Sequence, residues 1–311
     1  MAIVYHAGQR EVQDEANSRP AADMLAERMG RRTERNLSFY ARADLVVYAT
    51  ADEGVLLRFG AVSGSAPLLE PFDAPSLALP PCFPVLVPGT QVGAIAIDLE
   101  GAARARVNGV IGEREGARVL VSREEFINCR KYVAASMAME MAAHAGPESR
   151  GQVAFGDEDL LRVLATVETA FVATVDPTGQ PDVSHKGGPP GFLNYDESGR
   201  QLRWIELIGN GTFRSAGNVR ATGAISVVAL DLATGDAYEL GGRGRYETRL
   251  RYDAPRESGF WPTEEDFPVQ GVMTVDVQEV SHLRRLTTPR RRLEAVEKVT
   301  SCSPVEAQVP R

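Results

Sequence analysis

The apolar residues of this chain fall into short blocks separated by turns, the pattern of strands rather than long helices. Leu45–Thr50 (LVVYAT) reads as a buried strand closed by the turn Asp52-Glu53-Gly54. Val92–Leu99 (VGAIAIDL) is a second such strand. Ala105–Ile111 and Arg118–Ser122 follow, parted by the turn Gly112-Glu113-Arg114-Glu115-Gly116. The order then recurs: Phe171–Val175, a turn at Asp176–Gly179, and strands at Leu202–Leu207, Ile225–Leu230, Tyr238–Tyr246 and Val272–Val280. Helical spacing is expected from about Ala7 to Ala41. The alanine- and methionine-rich stretch Phe126–His144 also predicts a helix, ended by Gly146-Pro147. Glu148–Gln152 reads as a linker, and Asp157–Val167 as a short helix with acidic residues in its first turn. The proline-rich stretch Gly64–Gly89 leaves room only for short elements. From about Arg290 the pattern fades, which predicts a frayed tail.

Two stretches look like copies of one pattern. Ala43–Thr50 parallels Glu168–Thr174, and Gly93–Asp98 parallels Gly223–Val228. A duplicated β-domain follows, with residues 1–145 as the first half, 153–290 as the second and 291–311 as a flexible tail. Many short strands joined by turns favour a mainly β (α+β) fold, a barrel or sandwich, over a parallel sheet with crossover helices.

Composition narrows the functions. The 311 residues are 43% hydrophobic and 24% charged, ordinary for a globular protein, and carry a formal net charge of -8. Nucleic-acid and membrane-surface binding both need a positive excess that this chain lacks. No apolar run is long enough to span a bilayer, and the polar N-terminus has no signal-peptide core. Cys82, Cys129 and Cys302 have neither metal nor disulfide spacing, so no metal site is expected and a reducing cytoplasm is the expected setting. Arginine far outnumbers lysine. The only lysines are Lys131, Lys186 and Lys298.

Candidate chemistry lies in the second half. Val183–Leu193 (VSHKGGPPGFL) sets Ser184, His185 and Lys186 beside Gly187 and Gly188. Such a loop can turn N–H groups and a cation toward an anion, or it can be a tight turn with a surface lysine. Gly209–Val219 (GNGTFRSAGNV) places Asn210, Thr212, Arg214, Ser215 and Asn218 where a short helix can begin, and a helix N-terminus suits phosphate. Arg214 adds a bidentate donor. Together the two motifs point to an anion site more strongly than either does alone.

These residues resemble those of the pyridoxamine 5′-phosphate oxidase-related, FMN-binding split-barrel proteins, in particular their long tandem members. Ser184–Phe192 is similar to the family's Ser-His-(Arg/Lys)-Gly-Gly-x-Pro-Gly-Phe loop. Gly209, Asn210, Phe213, Ser215, Gly217 and Asn218 are similar to its second segment. Tyr5, His6, Gly8, Val12 and Gln13 resemble the opening of the N-terminal half, and Asn128, Cys129, Lys131 and Tyr132 its close. The resemblance implies tandem split β-barrels with peripheral helices. It implies FMN with its phosphate near Lys186, Arg214 and Ser215, held across a barrel–barrel interface. That interface would be a homodimer's or an intrachain pseudo-dimer's. It further implies an oxidoreductase acting on a small organic substrate. The alternatives are a non-catalytic flavin binder, or the same fold serving a deazaflavin, a haem or a metal.

The first half lacks the second half's cations. Val62–Pro67 (VSGSAP) stands where the lysine-bearing loop would be, and Leu77–Gln91 replaces the Gly-Asn segment. One nucleotide site per chain is therefore expected, with the first half as its wall through Ser63, Arg104, Arg106, Cys129 and Lys131. Arg104 and Arg106 alternate along a strand and so share a face. They either reach an anion or sit in solvent. His185 either exchanges a proton beside the ligand or only hydrogen-bonds the protein. Cys129 is either a thiol near the ligand or packed and inert. His6 is expected to anchor the N-terminal segment.

Overall fold

The computed structural model describes residues 3–29, 32–52, 56–128, 132–249 and 269–293. Three helices lead: α1 (Ala7–Glu15), α2 (Arg19–Met29) and α3 (Glu34–Tyr40). The first sheet is built from β1 (Leu45–Asp52), β2 (Leu56–Ser63), β3 (Glu70–Pro71), β4 (Ser76–Ala78), β5 (Gln91–Asp98), β6 (Ala103–Arg114) and β7 (Ala117–Ile127). The short strands β8 (Met139–Met141), β9 (His144–Gly146) and β10 (Ser149–Gln152) lead to α4 (Glu158–Thr166). The second sheet follows with β11 (Thr169–Val175), β12 (Pro181–Gly187), β13 (Asn194–Asp196), β14 (Gln201–Leu207), α5 (Arg214–Thr222), β15 (Ala224–Leu230), β16 (Ala237–Thr248) and β17 (Val269–Arg284). β18 (Pro289–Arg292) closes the described chain.

The two sheets share one strand order. The first runs β3-β4-β7-β6-β5-β1-β2, with β9 beyond β2. The second runs β13-β14-β17-β16-β15-β11-β12, with β10 also paired to β17. β1 and β11 therefore hold the same place, as do β5 and β15. All the pairings are antiparallel.

Burial explains why β1 from Leu45 to Ala49 and β11 from Ala170 to Ala173 are apolar at successive positions instead of alternating. Along β1, Leu45, Val47 and Ala49 face one core, while Val46 and Tyr48 face another. Along β11, Phe171, Ala173 and Val175 join the first of those cores, while Ala170 and Val172 face a third. Each sheet thus curls around a core of its own, and one core lies between them. Each fully buried aliphatic side chain there contributes roughly 1.5–3 kcal/mol. The sheets meet so closely at Gly93 that a Cβ on it would stand 2.5 Å from the Pro181 carbonyl, where β12 begins.

Four expectations need correction. The predicted helical run from Ala7 to Ala41 is three helices, interrupted at Asn17, whose φ of 52° is left-handed. The described residues of Phe126–His144 form no long helix, only a 3-10 turn at Ala135–Met137. Phe126 and Ile127 still pair with β6, and Met137 and Met141 enter the core between the sheets. Met139–Met141 pairs with β18. Ladder pairing and burial there override the helical preference of alanine and methionine. The predicted linker Glu148–Gln152 contains β10, paired with β17. The predicted tail begins as β18, and residues 294–311 lie outside the described residues.

Candidate functional site

A cleft opens where the face of β6 meets β12, β14 and the start of α5. Its walls include Arg104 and Arg106 from the first sheet and Ser184, Lys186, Glu206 and Arg214 from the second. Arg104 and Arg106 of the first half thus meet Ser184, His185, Lys186, Gly187, Asn210, Thr212, Arg214 and Ser215 of the second here. Period-two alternation puts Arg104, Arg106 and Asn108 on one face of β6.

The floor of the cleft is the turn into α5. The Asn210 side-chain oxygen accepts from the Thr212 backbone N–H at 3.2 Å and from its hydroxyl at 2.8 Å. Phe213 then takes left-handed angles (φ 53°), a costly choice for an aromatic residue, and starts the helix. No side chain caps α5, so its first-turn N–H groups carry the partial positive charge of a helix start into the cleft. Gly223, also left-handed, ends the helix.

Four cations, Arg104, Arg106, Lys186 and Arg214, line this space, and carboxylates hold the last three. Lys186 Nζ lies 2.5 Å from Glu206 Oε2, and Glu206 Oε1 accepts from the Trp204 indole N–H at 2.7 Å. Arg106 is 3.1 Å from Asp182 and donates to the Ser184 hydroxyl, which lies 2.8 Å from that of Ser215. Arg214 pairs with Glu124. Asn108 ties the carboxylates together, donating to Asp182 at 2.8 Å and to Glu124 at 3.1 Å. Arg106 and Arg214 are each about 90% buried or more. The Nε–H of each finds no acceptor among the described residues. Buried polar hydrogens of this kind normally have partners. The donor set of two hydroxyls, guanidinium and ammonium groups and a helix start suits a phosphate monoester.

His185 is buried, with both ring nitrogens engaged. Nδ1 meets the Arg104 guanidinium, and Nε2 lies 2.6 Å from the Thr169 hydroxyl. Burial, then the charges of Arg104 and Lys186, push its pKa well below the ordinary histidine value. The ring is neutral, accepting from Arg104 and donating to Thr169. No nitrogen is left over for a ligand proton.

Other predicted residues sit elsewhere or play other parts. Asn218 belongs to the contact between α5 and α1. Its oxygen meets His6 Nε2 at 2.8 Å, and its amide donates to Thr174 at 3.0 Å. His6 is thus the anchor it was expected to be. Ser63 lies outside the cleft, donating to the Ala142 carbonyl at 2.8 Å. Gly187 lines the cleft and faces the Tyr132 carbonyl so closely that no Cβ fits. Gly188 packs on Phe192 beside it, where a Cβ would lie 2.6 Å away. Cys129 and Lys131 lie outside the described residues. Sequence reasoning missed Glu124, Asp182, Thr169 and the restraining side of Glu206. Asp182 alone had a signal, two residues before Ser184 on the same strand face.

Among the described residues no cluster of His, Cys, Asp and Glu could hold a metal ion, and no helix is long and apolar enough to cross a membrane. No curated protein matches the chain significantly. Solved structures do. HupZ of Group A Streptococcus is 17% identical, with a TM-score of 0.33, over 43% of this chain and 98% of that one. A general stress protein 26-related protein from Clostridium acetobutylicum is 13% identical, with a TM-score of 0.31, over 43% and 92%. A pyridoxamine 5′-phosphate oxidase-related, FMN-binding protein from Nostoc punctiforme is 16% identical, with a TM-score of 0.26, over 40% and 77%. Residues 157–284 match the sequence model of the family described as pyridoxamine 5′-phosphate oxidase. That segment holds β12, α5 and the whole second-sheet side of the cleft, so this part of the chain is similar to the pyridoxamine 5′-phosphate oxidase family, and the curled antiparallel sheets give the mainly β split-barrel fold.

Proposed function

We propose that the cleft holds the phosphate of FMN and that the protein is a flavin-dependent oxidoreductase acting on a small organic molecule. The observation that carries this reading is the convergence of Ser184, Lys186, Ser215 and Arg214 on the uncapped start of α5. Those residues would hold the phosphate. The bound flavin would supply hydride or electron transfer, which no side chain here can perform. The protein's own part is positional. Arg104 and Arg106 bring the first sheet to the site, so the chain pairs its own halves and binds one cofactor. Neutral His185 orients Arg104 instead of moving protons. Trp204, Phe192 and Phe213 give the cleft apolar walls that exclude water from a bound ring.

The absorption spectrum of the purified protein tests the reading. Flavin bands are expected, with their bleaching on addition of a reduced nicotinamide cofactor or substrate. Flavin bands that no reductant bleaches would mark a binder and not an enzyme. A colourless protein that takes up no FMN on titration would sink both the cofactor and the activity.

A further inference from the structure

Lys186 is not a waiting cation, because Glu206 already occupies it. The contact is 2.5 Å, with the two side chains 19% and 13% exposed. Glu206 is also held from behind. Its second oxygen accepts from the indole N–H of Trp204, itself only 1% exposed. The β14–β17 register shifts between Glu206 and Leu207, and such a bulge re-aims the side chains beside it. The carboxylate is thus fixed by a rigid donor, a neighbouring cation and the strand itself. It lines the same cleft as Ser184, Ser215 and Arg214. A phosphate reaching for Lys186 would meet a buried like charge, a strongly unfavourable encounter where water is scarce.

We infer that Glu206 is a built-in counter-anion that competes with the anionic ligand for Lys186 and so sets how tightly, and which, anions bind. The lysine serves the ligand only when the carboxylate swings off it. A ligand must therefore offer enough other contacts, at Ser184, Ser215, Arg214 and the α5 start, to displace Glu206. Small inorganic anions, which use the phosphate contacts alone, are held off, and a larger phosphate ester with further contacts is admitted. Specificity of this kind comes from a repulsive element as well as attractive ones. The inference rests on the reading of Lys186 as a phosphate contact.

The test is titration of wild-type and Glu206→Gln protein with inorganic phosphate and, separately, with FMN, following tryptophan and flavin fluorescence. The glutamine amide keeps an oxygen for the Trp204 indole while removing the charge, and Glu206→Ser serves if that variant folds poorly. Expected is at least tenfold tighter binding of inorganic phosphate by the variant, and a comparable gain for FMN, whose other contacts leave it the tighter ligand in both proteins. Tighter phosphate binding with no FMN uptake by either protein supports the counter-anion and overturns the flavin reading. Phosphate binding that is unchanged, weaker, or absent from both proteins overturns the counter-anion, because removing a competitor must expose the lysine.

Discussion

Arg106 on β6 donates to the hydroxyl of Ser184 on β12, joining a side chain of the first sheet to the phosphate motif of the second. The same guanidinium pairs with Asp182 at 3.1 Å, and Asp182 is only 2% exposed. Replacing Arg106 with methionine keeps the bulk and strands the carboxylate, with Asn108 as its remaining partner. The expected loss of stability is roughly 3–5 kcal/mol. Urea denaturation measures it. Adding Asp182→Asn should recover part of that loss, and a double variant no more stable than Arg106→Met would refute the coupling.

Lys186 and Arg214 should separate by what else they do. Each replacement by alanine is expected to weaken FMN binding by about tenfold or more, the value of a charge-assisted hydrogen bond. Arg214→Ala should also lower the melting temperature, because it unpairs Glu124 beneath a guanidinium that is 8% exposed. Lys186→Ala should lower it less, since the lysine is 19% exposed and the unpaired Glu206 keeps the Trp204 indole. Flavin fluorescence gives the first quantity and calorimetry the second. Unchanged affinity in both variants would remove the phosphate assignment.

The N-terminal helix is a brace for the cleft. Gly8 of α1 and Gly217 of α5 let the helices touch, and a Cβ on Gly8 would lie 2.6 Å from the Gly217 carbonyl. Gln13 donates to the Thr212 carbonyl at 3.0 Å, Ser18 donates to that of Gly211 at 3.1 Å, and Arg220 meets Glu15 at 2.8 Å. Gly8→Val should push α1 off, costing roughly 1–3 kcal/mol. Limited proteolysis before residue 19 should quicken, and anion affinity should fall, because the 209–213 turn loses its support. Proteolysis at the wild-type rate would contradict the brace.

Acidity pulls on the fold in two directions. His185 takes up a proton less readily when folded, so between its depressed pKa and about 6.5 the unfolded chain holds more protons. Stability from this group is full above about pH 6.5 and declines as pH falls below it. Asp44 behaves oppositely. Burial raises its carboxyl from 3.8 to about 6, so its contribution is full below 3.8 and is lost as pH rises through 6. The two slopes oppose each other from the depressed pKa of His185 up to about 6. Asp44→Asn should therefore leave stability rising with pH over that window, and His185→Asn should leave it falling. Denaturation across that range measures both, and a wild-type slope in either variant would exclude that residue.

The strands and the convergence on the cleft were legible because they are written locally. β1 and β5 announce themselves as unbroken apolar runs, and Arg104 and Arg106 alternate as a strand face must. The partners of the cations were not legible. Glu124 lies far from Arg214 in the chain, and only the curl of the first sheet brings them together. Asn218 looked like a ligand contact because its motif resembles one, yet α1 claims it. Phe126–His144 misled because composition speaks for backbone preference, whereas Met137 and Met141 answer to a core assembled from distant strands.

That shared core has a further consequence. Leu45, Val47, Phe171, Val183 and Val228 share one buried apolar cluster across the seam. Severed near Gly146, the second sheet would carry a bare oily strip along β11, β12 and β15 into water. Such a fragment has two outcomes open to it, precipitation or self-association strip against strip. The seam thus makes the two halves obligate companions, so the intact chain should melt in a single step.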